Sequence, residues 1–153
     1  MSSTDANAKT AQPPAMPEEA TQAYRFGQAR AARSEAMLED YVELVADLLA
    51  SGGEARATDI ARRLGVSHAA VIKSIGRLKR SGLATANPYR GVFLTEEGKA
   101  LAKRVRRRHR IVVDLLVAVG VPIESAESDA EGIEHFVSEP TLGAFEKYLL
   151  DKR

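Results

Sequence analysis

The sequence predicts a mainly α-helical chain: two helices joined by a tight turn, then a β-hairpin, then a longer helical unit. Three observations predict it. Apolar residues recur at three- and four-residue spacing through 38–49, 60–78 and 101–119. A run of strand character over 83–94 is folded around Asn87-Pro88-Tyr89-Arg90-Gly91. Glycines at 52–53, 65, 82 and 120 punctuate the helical periods.

At 153 residues with 44% hydrophobic composition, the chain can bury one core, or two small modules sharing a helix, and one compact unit is expected. No stretch approaches the ~20 consecutive apolar residues of a membrane span, and the N-terminus lacks the apolar run of a secretion signal, so the expected location is the cytoplasm. Cysteine is absent, which excludes disulfides, thiolate zinc sites and thiol catalysis. A metal would therefore meet oxygen and imidazole nitrogen.

Residues 1–33 read as an N-terminal tail. Met1 to about Pro17 is rich in Ala, Ser, Thr and Pro and too poor in apolar side chains to offset ordering entropy, so disorder is expected there. From Glu18 to Arg33 the composition turns helical but carries no broad apolar stripe. Ser34 is expected to cap a helix running to Ala50, with Leu38, Tyr41, Val42, Val45, Leu48 and Leu49 on its core face and Gly52-Gly53 ending it.

Residues 57–75 read as a helix, a turn at Gly65 and a second helix capped by Ser67, the pattern of a helix-turn-helix. Ile60, Ala61 and Leu64 are expected to pack against Val66, Val71, Ile75 and Leu78, with Gly65 relieving the sharp turn. Helical periodicity then turns Ala69, Lys73, Gly76, Arg77 and Arg80 outward. Small residues early and basic ones later suit a DNA major groove. Ala69 allows close approach or contact with a thymine methyl, Lys73 reaches guanine acceptors, and Arg77 and Arg80 lie nearer the phosphates. A helical hairpin with a solvated charged face is the competing reading, and the next element argues against it. Leu83–Ala86 and Val92–Leu94 form two strands, and a hairpin directly after a recognition helix is a wing. Arg90 at its tip can contact the backbone or minor groove, while Tyr89 either packs on sugar and phosphate or packs within the hairpin.

Thr95 caps a long helix to about Val119, with Glu96 and Glu97 in the first turn. Its apolar stripe is Leu101, Val105, Val112, Leu115, Leu116 and Val119, and His109 falls on that stripe, where an imidazole needs a partner. Pro122 suits the start of the next helix, and Ser138 opens a last one from Glu139 to Leu150.

The net charge of +1 hides a segregation of signs. From Arg56 to Arg110 there are fifteen Lys and Arg against three acids, Asp59, Glu96 and Glu97, and the other eighteen acids flank that block. A basic middle can meet phosphates and acidic flanks can hold cations. For the run 103–108 taken alone, a solvated basic surface explains the charge as well.

Glu131, Glu134 and His135 stand at i, i+3 and i+4, placing two carboxylates and an imidazole within reach of one cation on a helical face. Asp40 and Glu43 form a second i, i+3 pair, opposite the Leu38-Val42-Val45 face. Brought together without a cation, four carboxylates repel one another. Acidic pairs of this spacing are nevertheless common on solvated faces, so Asp40 and Glu43 alone do not make a site. His109 and His135 lie in the acidic C-terminal half; His68 begins the recognition helix.

These residues resemble a known family, the diphtheria toxin repressor group of metalloregulators and, within it, the manganese-transport regulators. The resemblance covers about Leu38 to Leu149. It is carried by Leu38-Glu39-Asp40-Tyr41-Val42-Glu43, the Asp59–Leu78 segment, Tyr89-Arg90-Gly91-Val92-Phe93-Leu94-Thr95, Arg108-His109 and Asp129-Ala130-Glu131-Gly132-Ile133-Glu134-His135.

The resemblance implies a winged helix-turn-helix over 34–98, a helical dimerisation and metal-binding domain over 99–153, and a homodimer on a palindromic double-stranded DNA operator. It implies that Asp40, Glu43, His109, Glu131, Glu134 and His135 form a site for up to two Mn(II) ions. It also implies DNA contacts from Ser67, His68, Ala69, Lys73, Arg77, Arg80, Tyr89 and Arg90. In iron-type members a methionine matches Asp40 and a cysteine matches Glu131, so the hard oxygen donors here favour Mn(II), with Fe(II) the alternative. No catalytic role is expected. Two further readings compete: a carboxylate-bridged dimetal enzyme, for which paired Glu-x-x-His motifs on two helices are expected and only Glu-x-x-Glu-His occurs, and a DNA-binding sensor of an organic ligand.

Overall fold

The computed structural model describes residues 14–153. Its elements are α1 (Glu19–Ala50), α2 (Ala57–Leu64), α3 (His68–Arg80), β1 (Ala84–Asn87), β2 (Gly91–Leu94), α4 (Glu96–Ala118), α5 (Ile123–Ile133), a 3₁₀ turn (Glu134–Phe136) and α6 (Glu139–Asp151).

α1 departs from expectation at its start. It runs unbroken through Ser34, which lies inside the helix and accepts a 3.3 Å hydrogen bond from Arg77 instead of capping anything. The cause is local. After Pro17 no proline interrupts 18–50, and the Ala, Arg, Gln and Glu of 19–33 are good helix formers that extend a helix already anchored downstream. Residues 14–18 carry no regular structure, and the rest of the expected tail, 1–13, lies outside the described residues. Leu38, Tyr41, Val42 and Val45 are the buried face, as the periodicity requires.

α2 and α3 meet at Gly65, whose φ of 69° is the left-handed conformation the turn needs. Ser67 caps α3 by accepting the Ala70 N–H at 3.1 Å. Ile60, Val71, Ile75 and Leu78 are buried together, but Val66, expected among them, is exposed. It lies in the turn, where its N–H is committed to the Ala61 carbonyl at 3.1 Å and its side chain is carried off the packed face. β1 and β2 pair antiparallel with Ala84 opposite Leu94 and Asn87 opposite Gly91, and Ala55 adds a single bridge to Val92.

Thr95 caps α4 by accepting from the Gly98 N–H at 3.1 Å, and its hydroxyl donates to the Gly82 carbonyl at 2.6 Å. The buried face of α4 is broader than the stripe read from sequence. Ile111 and Val113 are buried as well as Val105 and Val112, whereas Val119 is exposed beyond the helix end. The reason is that α4 packs on α1, α5 and α6 in turn, so its covered face rotates along its length. Two apolar clusters result. One joins α1 to the helix-turn-helix and hairpin and includes Ala102 of α4; the other gathers Val112, Val113, Ala126 and Ala130. The arrangement is two small modules sharing α4. No helix among the described residues is long and apolar enough to cross a membrane.

Candidate metal centre and nucleic-acid surface

α5 ends at Ile133 and the chain tightens into the 3₁₀ turn, so Glu131, Glu134 and His135 do not share one α-helical face. The tighter winding turns Glu134 wholly inward, at 0% exposure, toward α4 on one side and His135 on the other. Glu134 Oε2 lies 3.1 Å from His109 Nδ1, and Glu131 Oε1 lies 3.9 Å from the same nitrogen. One ligand atom from each of His109, Glu131 and Glu134 can be chosen so that all lie within 4.8 Å of one another. Asp40 reaches the other imidazole across the seam between α1 and the 3₁₀ turn, with Oδ1 2.9 Å from His135 Nε2. Glu43 stands further off, on the wall of a cavity of about 270 Å³ shared with Asp40, Asp47 and Glu131.

The electrostatics are set by carboxylates crowded around two imidazoles. Burial pushes Glu134 up to about 7 against the pull of His109 and His135, with Glu43 and Glu131 adding to the rise. Glu43 is raised by burial and then by Glu131 and Asp47. The carboxylates of Asp40 and Glu39 raise His135 to about 10. For His109 burial opposes the charge, but Glu127, Glu134 and Glu131 outweigh it and the imidazole titrates above its usual range. In the absence of metal, protons on the two rings therefore offset the carboxylate charge. The donor set also passes a direct test of fit: Glu134 Oε1 is buried with no hydrogen-bond partner, and the atom it faces at 3.6 Å, His135 Nε2, is shared with Asp40 Oδ1 at 2.9 Å. Two carboxylate oxygens converging on one buried imidazole nitrogen need a cation or a proton between them.

Three residues around this cluster were not read as functional. Glu39 lies 2.7 Å from His135 Nδ1, Arg108 donates to the same Glu39 oxygen, and Glu127 lies 2.9 Å from His109 Nε2. Burial works against ionisation of Glu39, but His135 and Arg108 hold its carboxyl below the usual range. Glu39 and Arg108 are sequence neighbours of Asp40 and His109, and Glu127 is one helical turn before Glu131; spacing was the available signal. The basic run 103–108 turns out to be partly internal. Arg106 pairs with Asp47, Arg107 with Glu146 at 2.6 Å, and Arg108 with Glu39, tying α4 to α1 and α6.

On the opposite module, His68, Ala69, Lys73 and Arg80 are exposed along α3, while Arg77 is half-buried against Ser34. Ser67 Oγ accepts the cap bond from the Ala70 N–H, which leaves its O–H as a donor. Tyr89 is 89% exposed at the hairpin turn, so of its two readings packing within the hairpin is excluded, and Arg90 beside it is exposed too. His68, Lys79 and Tyr89 line a cleft of about 490 Å³ between α3 and the hairpin. Ile72, exposed on that cleft, was not singled out by the sequence reading.

Residues 35–92 match the N-terminal DNA-binding domain of the iron-dependent repressors, and residues 95–151 match their metal-binding and dimerisation domain. The chain belongs to the iron-dependent repressor family. It is 52% identical over 120 residues to the transcriptional regulator MntR of Escherichia coli, a match covering 78% of this chain and 77% of that one. Among solved structures, the manganese regulator SloR superposes with a TM-score of 0.67 at 27% identity over 74% of this chain. A manganese-dependent transcriptional repressor in complex with manganese superposes at 0.64 and 26% identity over 73%. This chain spans about half the length of those two structures, 53% and 52%. The family is one of transcriptional regulators, which removes the dimetal-enzyme reading.

Proposed function

We propose that this protein is a Mn(II)-responsive DNA-binding regulator that represses manganese uptake genes when the metal is plentiful, acting in the cytoplasm as a homodimer on a palindromic operator. Residues 34–98 are the DNA-binding unit and 99–153 the dimerising, metal-binding one. Asp40, Glu43, His109, Glu131, Glu134 and His135 hold the metal, up to two ions. The single observation that carries this reading is the seam at His135. There Asp40 of α1, the helix on which the helix-turn-helix core is built, meets His135 of the second unit at 2.9 Å, on the same ring nitrogen that Glu134 faces at 3.6 Å.

A bound cation would supply positive charge at that seam in place of the protons. The residues themselves do the rest: Asp40 and Glu43 commit α1, and Glu131, Glu134 and His135 commit the turn after α5. With α1 held, the separation of two recognition helices in a dimer is restricted, and half-sites about one helical turn (~34 Å) apart are favoured. Ser67, His68, Ala69 and Lys73 face the bases, while Arg77, Arg80, Tyr89 and Arg90 face backbone or minor groove. All-hard donors suit Mn(II), but Mn(II) is the weakest binder of its series, so the choice over Fe(II) rests on geometry and availability.

Purified protein incubated with sheared genomic DNA from its source, with Mn(II), with anaerobic Fe(II) or with chelator, tests the reading. Palindromic fragments enriched with Mn(II) and absent with chelator are expected. Equal enrichment in chelator would make the metal irrelevant to binding, and enrichment with Fe(II) alone would overturn the manganese assignment. In Glu131→Ala the metal dependence should disappear with the fold intact; Mn(II)-stimulated binding retained in that variant would overturn the site.

A further inference from the structure

We propose that Glu39 is the positioning residue of the metal centre, accepting the Nδ1–H of His135 and so fixing the tautomer in which the Nε2 lone pair faces Asp40 and Glu134. The inference rests on the reading of His135 as a metal ligand. A ligating imidazole keeps one ring proton, and the hydrogen bond made by the other nitrogen decides where that proton sits.

The geometry assigns that bond to Glu39. Its Oε2 lies 2.7 Å from Nδ1, and the two side chains are 12% and 5% exposed. The same oxygen accepts from Arg108 Nη2, reaching over from α4 at 17% exposure. A guanidinium stays charged and offers no acceptor, so its partner is held as a carboxylate, which can only accept. Nδ1 must then be the donor. Nε2 is then the nitrogen that gives up its proton on ligation; it is buried, 2.9 Å from Asp40 Oδ1 and 3.6 Å from Glu134 Oε1. Consecutive residues of α1 thus grip opposite edges of one ring, Asp40 on the ligating side and Glu39 behind it. A carboxylate behind a ligating imidazole both orients the ring and raises its basicity, and losing such a group weakens metal binding roughly 10- to 100-fold.

The test uses the full chain. Mn(II) affinity is read from the room-temperature EPR signal of the free ion in wild type, Glu39→Gln and Glu39→Ala. NMR of ¹⁵N-histidine-labelled wild type loaded with diamagnetic Cd(II) identifies which His135 nitrogen is coordinated. Coordination through Nε2, near-wild-type Mn(II) affinity in Glu39→Gln, whose amide oxygen still accepts from Nδ1, and a loss of roughly 10- to 100-fold in Glu39→Ala are expected. Coordination through Nδ1, or wild-type affinity in Glu39→Ala, overturns the assignment. The nitrogen assignment is made on wild type and decides the question even if Glu39→Ala does not fold. Wild type that takes up neither ion overturns the underlying metal reading, a result distinct from either of those.

Discussion

Glu134 is the residue on which the candidate centre turns, because its two oxygens face different imidazoles, His109 at 3.1 Å and His135 at 3.6 Å. Its burial makes the charge costly without a cation. Replacing it by Gln keeps the shape and removes the charge, so at pH 8 the metal-free protein should gain stability, by at most about 3 kcal/mol for a rise from 4.5 to about 7. The same variant should lose Mn(II)-stimulated DNA binding. Denaturant melts and operator titrations check both halves, and a variant that still responds to Mn(II) would contradict the role. The pH dependence follows from two shifts of opposite charge type. His135, raised from 6.5 to about 10, contributes stability that is complete below 6.5 and lost as pH rises toward 10. Glu134, raised from 4.5 to about 7, destabilises the fold increasingly as pH climbs from 4.5 to 7 and its proton is lost. The metal-free protein therefore weakens first between about pH 4.5 and 7 through Glu134, and then from 6.5 towards 10 through His135. Metal binding must displace these protons, so the rise in melting temperature on adding Mn(II) should grow from pH 6 to pH 8.5; a rise independent of pH would mean that Mn(II) binds elsewhere.

At the scale of elements, α3 in the proposed reading divides its labour along its length. Lys73→Ala should relax base preference at one operator position at a cost of about 1–3 kcal/mol. Arg80→Ala should weaken binding to all sequences alike and reduce the salt slope by about 1. Binding titrations over a salt series and against single-base operator variants separate the two. The joint between wing and α4 is equally specific. A Cβ on Gly98 would stand 2.0 Å from the Leu83 carbonyl oxygen, which is backbone and cannot swing aside. Gly98→Ala should therefore destabilise by about 1–3 kcal/mol, read as a lower melting midpoint. These elements were legible because their signals are short-range: Ser67 and Thr95 cap where expected, and Gly65 turns the chain. The start of α1 was not, because Ser34 is a good cap only if the helix stops there, and nothing in 19–33 stops it.

At the scale of the molecule, α1 and α4 form the frame of both modules: their apolar faces pack together and the largely buried Arg108–Glu39 pair ties one to the other, while the Arg106 and Arg107 pairs are about half exposed and add little. A frame packed on apolar faces is expected to fold without metal. Chelator should leave the far-ultraviolet circular dichroism unchanged while operator affinity falls about 5- to 150-fold, a coupling of roughly 1–3 kcal/mol. Loss of helix signal in chelator would instead make the metal a folding requirement.

The sequence by itself determined the order of elements, the helix-turn-helix with its wing, and which acids and imidazoles share a local stretch, since periodicity, caps and turn residues act within a few positions of each other. Only the tertiary structure decided which of those groups meet. That Glu39 and Asp40 take opposite edges of a ring 96 and 95 residues away, that Glu134 is wholly buried, and that part of a basic run faces protein acids rather than phosphate depend on how α1, α4 and the 3₁₀ turn pack. Side-chain contact across that distance is set by burial of the apolar faces behind it, and the charged residues follow where those faces carry them.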